Sequence, residues 1–155
     1  MTKRPKKLSE EVEQQSVEIK EGYIVDYISG RHVKDGPEER EAVQVFSRQL
    51  VDDYGYPKEH IRTRPQYRVR IRPSDTKKEY PVDIAVFAGA SHDDESVQIV
   101  VECKKKSRTD GRHQLEDYLR FCKAQAGVWF NGEERLFLKK IEKGGKILFE
   151  EIPNI

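Results

Sequence analysis

Cysteine is scarce in this sequence. Only two of the 155 residues are cysteines, Cys103 and Cys122, and neither has a second cysteine or a histidine at a metal-binding spacing. This pattern excludes a disulfide framework and argues against a zinc site. We therefore expect a reducing compartment and predict a cytoplasmic protein.

Long hydrophobic runs are also missing. The N-terminus begins Met1-Thr2-Lys3-Arg4-Pro5 and continues into an acidic, glutamine-rich stretch rather than an apolar one. A membrane-spanning helix needs about 20 mainly apolar residues, and a secretory signal needs an apolar core. We predict neither feature and expect no membrane partner.

The chain has no large excess of charge of either sign. The 29 Lys and Arg residues nearly balance the 28 Asp and Glu residues, so a nucleic-acid surface would require local segregation of charge. Charged residues make up 37% of the sequence, yet the apolar residues gather into short dense runs that can form a core. The length fits one domain, which we predict over residues 21–155, after a charged segment 1–20 that is helical or disordered.

The first strong element is a helix that begins at Gly36-Pro37-Glu38-Glu39 and ends near Tyr54-Gly55. Proline at the first helical position and acids in the first turn are typical of a helix start. An apolar stripe formed by Val43, Phe46 and Leu50 lies in line with Glu39.

Period-two alternation from Ile61 to Ile71 predicts a strand. Its apolar face carries Tyr67, Val69 and Ile71. Its other face is a row of arginines. That face either contacts DNA phosphates or is a solvated edge. The arginines are Arg62, Arg64, Arg68, Arg70 and Arg72.

Two apolar runs, 80–88 and 97–104, predict an antiparallel hairpin. One face would be core, with Val82, Ile84 and Val86 on the first strand and Ile99, Val101 and Cys103 on the second. The opposite face carries three ionisable residues: Asp83, Glu102 and Lys104. Pairing Ala88 with Val97 across the loop would place Asp83 directly opposite Glu102.

Two carboxylates directly opposite each other on paired strands are close enough to repel each other unless a cation lies between them. Oxygen ligands favour Mg²⁺, with Mn²⁺ as a substitute, and such an ion activates water or polarises a phosphate. Lys104 would supply a fixed positive charge for the charge that develops on the phosphate. Cross-strand salt bridges without an ion are the alternative.

The second half of the chain predicts a helix over about 110–125, with Leu115, Leu119 and Cys122 at helical spacing beside Tyr118. Short strands follow at about 127–130, 134–140 and 146–151. The order is helix, strands, helix, strands.

An acid followed about twenty residues later by Glu-x-Lys resembles the PD-(D/E)xK nuclease superfamily. Neighbouring motifs sharpen the resemblance, and together they look like the N-terminal nuclease domain of type I restriction enzyme R subunits over about residues 23–140. The motifs are Pro37-Glu38-Glu39, Tyr56-Pro57-Lys58, Val82-Asp83-Ile84, Val100-Val101-Glu102-Cys103-Lys104, Gln114-x-x-x-Tyr118 and Asn131-Gly132-Glu133-Glu134.

The resemblance implies an α/β (α+β), restriction-endonuclease-like fold with a mixed central sheet flanked by helices. It also implies Mg²⁺-dependent hydrolysis of double-stranded DNA. Carried over by position, Asp83 and Glu102 would be metal ligands, Lys104 the catalytic cation, and Gln114 and Tyr118 assisting residues.

Tyr118 can equally belong to the core.

The helical acid would be Glu39, because it lies in line with the buried stripe, and Glu38 is the alternative. Either acid can instead serve only to interact favourably with the helix dipole.

A basic run follows the Glu-x-Lys motif. Lys105, Lys106, Arg108 and Arg112 would form a phosphate-binding rim with Arg68 and Arg70 of the arginine row, or else belong to a solvated loop.

The leading hypothesis is an endonuclease domain without its motor, since no Gly-x-x-x-x-Gly-Lys-Ser/Thr loop is present. In a type I system, the motor, methyltransferase and specificity subunits would be partners. The alternatives are a DNA-binding module on the same fold that is inactive or dependent on partners, and a protein-interaction domain.

Overall fold

The computed structural model describes residues 18–69 and 79–155. The strands of the described part are β1 Tyr23–Val25, β2 His32–Lys34, β3 Ile61–Thr63, β4 Arg68–Val69, β5 Tyr80–Pro81, β6 Ile84–Phe87, β7 Val97–Cys103, β8 Ala126–Phe130, β9 Arg135–Lys143 and β10 Lys146–Ile152. The central sheet has six strands in the order β10-β9-β8-β7-β6-β3, and the described part also contains two small two-stranded sheets, β1-β2 and β4-β5.

Two helices flank the large sheet. The first, α1, begins with a π-helical stretch, Glu39–Val43, that runs directly into the α-helix Gln44–Asp52. The second, α2, spans Arg112–Phe121. Strands β7 and β8 are parallel and α2 connects them, as parallel neighbours require a crossover, whereas the other pairs of the sheet are antiparallel. The predicted mixed sheet flanked by helices is confirmed.

Each helix covers one face of the sheet. The apolar stripe of α1, with Val43, Phe46 and Leu50, packs on one face against residues such as Ile84 and Val101. This confirms the predicted helix and its buried side.

Helix α2 packs on the opposite face through Leu115, Tyr118 and Leu119. Gly127 on β8 makes the close approach possible, because a Cβ there would lie 2.8 Å from a methyl carbon of Leu119. The central strands are therefore buried on both sides, which explains their dense Val and Ile content.

The hairpin of β6 and β7 forms as predicted, with one change in register. Ile84 pairs with Val101 and Val86 with Ile99, in the predicted alignment, but Phe87 rather than Ala88 pairs with Val97. The register shifts by one residue after Val86, which leaves the alignment near Asp83 unaffected.

The prediction for Val82 was wrong. Val82 belongs to the core on the α2 face, while Ile84 and Val86 belong to the core on the α1 face. A bend at Asp83 precedes β6 and interrupts the alternation of the strand.

The single strand predicted from Ile61 to Ile71 was also wrong. The chain forms two short strands, β3 and β4, separated by a turn that contains Pro65. Proline has no N–H to donate to a ladder, so it ends the strand. Tyr67 and Val69 are buried as predicted and Arg68 is exposed, whereas Ile71, Arg70 and Arg72 lie outside the described residues, as does most of the predicted segment 1–20.

Within residues 18–69 and 79–155, no helix combines the length and the apolar character needed to cross a bilayer.

Candidate active site

Asp83 is fixed at the bend before β6 and is 5% exposed. Its Oδ2 accepts a hydrogen bond from the backbone N–H of Cys103 at 2.8 Å. Its backbone carbonyl accepts a second bond from the N–H of Arg64 at 3.0 Å, and the Arg64 guanidinium lies 3.9 Å from Oδ1. The carboxylate is therefore held by the neighbouring strand on one side and faces a cation on the other.

Glu102 lies on β7 and is 4% exposed. Its Oε1 is 3.3 Å from the Nζ of Lys104, two residues further along the chain. Ile84, which follows Asp83, pairs with Val101, which precedes Glu102. The charge of Asp83 acts on Glu102 and both residues line one pocket, so the two acids lie close together.

Both acids open into one pocket of about 210 Å³. Its lining combines acids, cations and the polar groups of α2, which gives it the mixed charge of a site for a charged ligand. The lining residues are Glu38, Arg64, Tyr80, Pro81, Asp83, Glu102, Lys104, Gln114 and Tyr118.

Burial makes the ionised forms of the two acids costly. It raises the pKa of Asp83 to about 6, although the hydrogen bond from Cys103 opposes the shift. Burial raises the pKa of Glu102 to about 8; the charge of Asp83 adds to the shift, and Lys104 opposes it. The pair consequently favours a cation or a proton between its members.

Gln114 and Tyr118 lie one helical turn apart on α2 and contribute to the same pocket. The Gln114 amide donates to the Tyr118 hydroxyl at 2.7 Å. Tyr118 is 1% exposed, and burial followed by the charge of Glu102 raises its pKa to about 12. The hydroxyl is thus neutral, and Tyr118 combines its core position with a polar contact at the pocket.

The structure brings Glu38, rather than the predicted Glu39, into the pocket lining, and the catalytic role predicted for Glu39 stays a prediction. Glu38 lines the pocket, whereas Glu39 accepts a hydrogen bond from the Gln44 side chain at 2.7 Å. The physical reason is the π-helical stretch at the start of α1, because its wider turn changes the angular spacing on which the stripe argument depended.

The side chain of Lys104 passes over Gly111. A Cβ at Gly111 would lie 2.8 Å from Cε of Lys104, and the residue has a φ of +109°, so glycine suits both the space and the backbone. Trp129 donates from its indole to the carbonyl of Asp110 at 2.8 Å and fixes the same turn. The turn at Asp110 and Gly111 therefore packs against the Lys104 side chain that contacts Glu102.

Residues 37–155 match the family model of the type I restriction enzyme R protein N terminus (HSDR_N). The chain belongs to this family. The match covers more than half of the chain and confirms the resemblance drawn from the motifs. No curated protein and no solved structure matches the chain significantly.

In this HSDR_N domain the predicted DNA-binding residues do not form one uniform rim. Lys105 and Lys106 are exposed beside Lys104. Arg108 is paired with Asp110, and Arg112 is paired with Glu116 and Glu151, so the charges of these two arginines are partly neutralised. Arg68 is exposed on β4, where it pairs with Pro81 of the pocket lining without lining the pocket itself, and Arg70 lies outside the described residues.

Sequence reasoning missed the position of Arg64 at the pocket. The period-two pattern placed it in the arginine row, but the turn after β3 carries it to Asp83 instead. Sequence reasoning also gave no indication of the contacts of His92, whose ring accepts a hydrogen bond from Arg62 Nε at 2.8 Å and contacts the carbonyl of Glu59. Local sequence spacing could not predict the contacts of Arg64 or His92, because each joins segments that are distant in sequence.

The donor set of the HSDR_N pocket is suited to a hard divalent ion. Asp83 and Glu102 offer carboxylate oxygens, and their mutual repulsion is relieved by positive charge between them. Among the residues that the structure describes, no group of three or more His, Cys, Asp and Glu is arranged as a metal site. An ion such as Mg²⁺ would therefore depend on two protein carboxylates and keep several waters, as Mg²⁺ commonly does.

Proposed function

We propose that this HSDR_N domain is a Mg²⁺-dependent endonuclease that hydrolyses phosphodiester bonds of double-stranded DNA. The observation that carries the proposal is the pair of buried acids with raised pKa values, Asp83 and Glu102, in one pocket with Lys104. Buried charges of this kind are costly unless they are paired or used, and functional sites are where such arrangements concentrate.

Asp83 and Glu102 would hold Mg²⁺, or Mn²⁺ in its place. When bound, the ion would supply the Lewis acidity that polarises a phosphate oxygen and lowers the pKa of water. The hydrogen bond from Cys103 to Asp83 would fix that carboxylate in the orientation needed for binding. Burial of both acids keeps competing water away from them.

Lys104 would stabilise the negative charge that develops on the phosphate while a water oxygen bonds to phosphorus and the bond to the leaving oxygen breaks. Its 3.3 Å contact with Glu102 keeps the ammonium at the pocket. Gln114 would orient the water or a phosphate oxygen through its amide, and the Tyr118 hydroxyl would limit the movement of that amide. Glu38 would add a third acid at the rim.

The proposed partners follow from family membership. The R protein family implies DNA as the substrate and other type I subunits as companions, among which we include a motor, a methyltransferase and a specificity subunit. The exposed Lys105 and Lys106 beside the pocket provide charge for the DNA backbone.

A DNA-binding module without turnover is the second candidate. One observation favours it: Arg64 lies beside Asp83 and Lys104 beside Glu102, so each acid already has a cationic neighbour. At 3.9 Å, however, the Arg64 contact is long, and that side chain is 61% exposed, so it can move away to admit an ion.

Nicking of supercoiled plasmid by the pure protein tests the proposal. Cleavage should require Mg²⁺ or Mn²⁺ and should be lost in Asp83→Ala and Lys104→Ala. Asp117→Ala is a matched control, since that acid is exposed on α2 and pairs with Arg120 rather than lining the pocket. Equal cleavage by all four proteins would refute the assignment; DNA binding without cleavage by the wild type would favour the second candidate.

A further inference from the structure

A third buried acid, Asp26, lies in the connection between β1 and β2 and is 1% exposed. Its partners are polar side chains and a backbone N–H. Oδ2 accepts bonds from the N–H of Ser29 at 2.9 Å, from the Ser29 hydroxyl at 2.7 Å and from the Thr63 hydroxyl at 2.7 Å. Oδ1 accepts a bond from the Gln44 amide at 2.8 Å.

Four donors converge on this carboxylate, which only an ionised acid can satisfy. Burial acts to raise the pKa of Asp26, but the bonds from Ser29, Gln44 and Thr63 outweigh burial and lower the pKa. A buried charge is costly unless it is fully hydrogen-bonded, and this one is. The hydrogen-bonded carboxylate of Asp26 therefore connects the segment between β1 and β2 with α1, through Gln44, and with β3, through Thr63.

The connected elements are those that build one wall of the pocket. Gln44 also donates to Glu39 at 2.7 Å and accepts from the N–H of Tyr27 at 2.8 Å, so the β1-β2 hairpin is bonded to the start of α1. Glu39 directly follows Glu38, which lines the pocket.

The second connection reaches the same wall from β3. Thr63 is the last residue of β3, and Arg64, which follows it, donates its N–H to the Asp83 carbonyl and lines the pocket. Asp26 itself is not in the pocket lining. Asp26 is therefore connected through Gln44 to Glu39, the neighbour of Glu38, and directly to Thr63, the neighbour of Arg64.

We propose that Asp26 is a positioning residue that holds Glu38 and Arg64 at the pocket through Gln44 and Thr63. The inference rests on the proposed function for its effect on catalysis. Asp26 precedes residues 37–155, which the family model matches, so the proposed support of the site comes from outside the matched region.

The test uses the full chain with two substitutions that preserve shape. Thr63→Val removes the hydroxyl that donates to Asp26, and Asp26→Asn replaces one acceptor oxygen with a donor. Thr63→Ser keeps the hydroxyl and serves as the conservative variant. Ile61→Val is the matched control, because it trims a buried core residue of the same strand and touches none of these bonds.

Three experiments are run on each variant: steady-state plasmid cleavage for kcat and KM, thermal unfolding for the midpoint, and amide hydrogen exchange at Arg64 and Arg40. Arg40 donates its N–H to Gly36 at the start of α1, so the two amides report the two connected segments. Loss of supporting contacts around a catalytic site commonly costs about 10- to 100-fold in activity.

We expect Thr63→Val and Asp26→Asn to lower kcat by about 10- to 100-fold with KM within about twofold, and to speed exchange at Arg64 and Arg40. Thr63→Ser should retain most of the activity. Ile61→Val should lower the thermal midpoint and leave kcat unchanged.

Unchanged kcat and exchange in folded Thr63→Val would overturn the inference, and this variant decides the matter if Asp26→Asn does not fold. If the wild type itself does not cleave DNA, the proposed function fails, but exchange still tests the positioning. Faster exchange confined to the two segments in Thr63→Val would then support the inference, and unaltered exchange would overturn it.

Discussion

Asp83 Oδ2 accepts a hydrogen bond from the backbone N–H of Cys103 at 2.8 Å, and Cys103 is the residue between Glu102 and Lys104. Asp83, at the bend before β6, is therefore bonded to the last residue of β7, between the other two residues of the proposed site. A strand residue points its N–H and its side chain in different directions, so Cys103 can hold Asp83 through its backbone while its own side chain packs in the core on the α1 face. The geometry of all three residues depends on one pair of strands.

The stability of the metal-free protein should fall as the pH rises from about 4.5 to about 8. In this range the folded protein binds more protons than the unfolded chain, because the pKa of Glu102 is raised from 4.5 to about 8 and that of Asp83 from 3.8 to about 6. The unfolding free energy in EDTA should fall by an amount on the order of a few kcal/mol. Urea titrations at several pH values measure it, and Glu102→Gln should flatten the curve. A rise in stability over this range would contradict the assigned burial of the acids.

Lys104→Met should reduce kcat for DNA cleavage by about 10²- to 10³-fold, as loss of a group that stabilises transition-state charge commonly does. Methionine keeps the length of the side chain but lacks the ammonium near Glu102. Binding of Mn²⁺ should not weaken, since a competing cation is removed. Lys105→Met is the control: that side chain is exposed, so its loss should leave kcat nearly unchanged and reduce the salt dependence of DNA binding by about one counterion.

Arg64→Ala and Arg68→Ala should have different effects. Arg64 lies 3.9 Å from Asp83, so its loss should lower kcat at saturating DNA. Arg68 is exposed and does not line the pocket, so its loss should weaken binding across sequences and leave kcat unchanged. Steady-state cleavage and fluorescence anisotropy at several salt concentrations separate the two results. Identical profiles for both variants would remove Arg64 from the site.

Glu38→Gln should weaken Mn²⁺ binding more than Glu39→Gln does. Glu38 lines the pocket and its charge raises the pKa of both buried acids, whereas Glu39 is bonded to Gln44, an interaction that a glutamine can retain through its carbonyl oxygen. The expected loss for Glu38→Gln is about fivefold, equivalent to roughly 1 kcal/mol of charge interaction. Calorimetric titration measures both variants. A larger effect from Glu39→Gln would restore the prediction made from the helical stripe.

Much of the fold could be predicted because its core strands and helices are regular. Alternation aligned Ile84 with Val101, although the pair of Ala88 with Val97 from which the alignment was counted does not form, and the spacing of Val43, Phe46 and Leu50 identified the buried side of α1. These patterns are local, and burial enforces them along the whole element.

The remaining features depend on departures from regularity. The π-helical stretch changes which acid faces the pocket, Pro65 ends a strand that period two would have continued, and the bend at Asp83 moves Val82 to the other face. The bonds of Asp26 to Gln44 and Thr63 join residues 18 and 37 positions apart, for which a single sequence has no periodic signal.

Asp83 and Glu102 should jointly hold one divalent ion. The decisive measurement is titration of the wild type, Asp83→Asn and Glu102→Gln with Mn²⁺, followed by the loss of the free-ion electron paramagnetic resonance signal. We expect one site in the wild type and loss of that site in each folded variant. Equal Mn²⁺ binding by all three folded proteins would contradict this expectation.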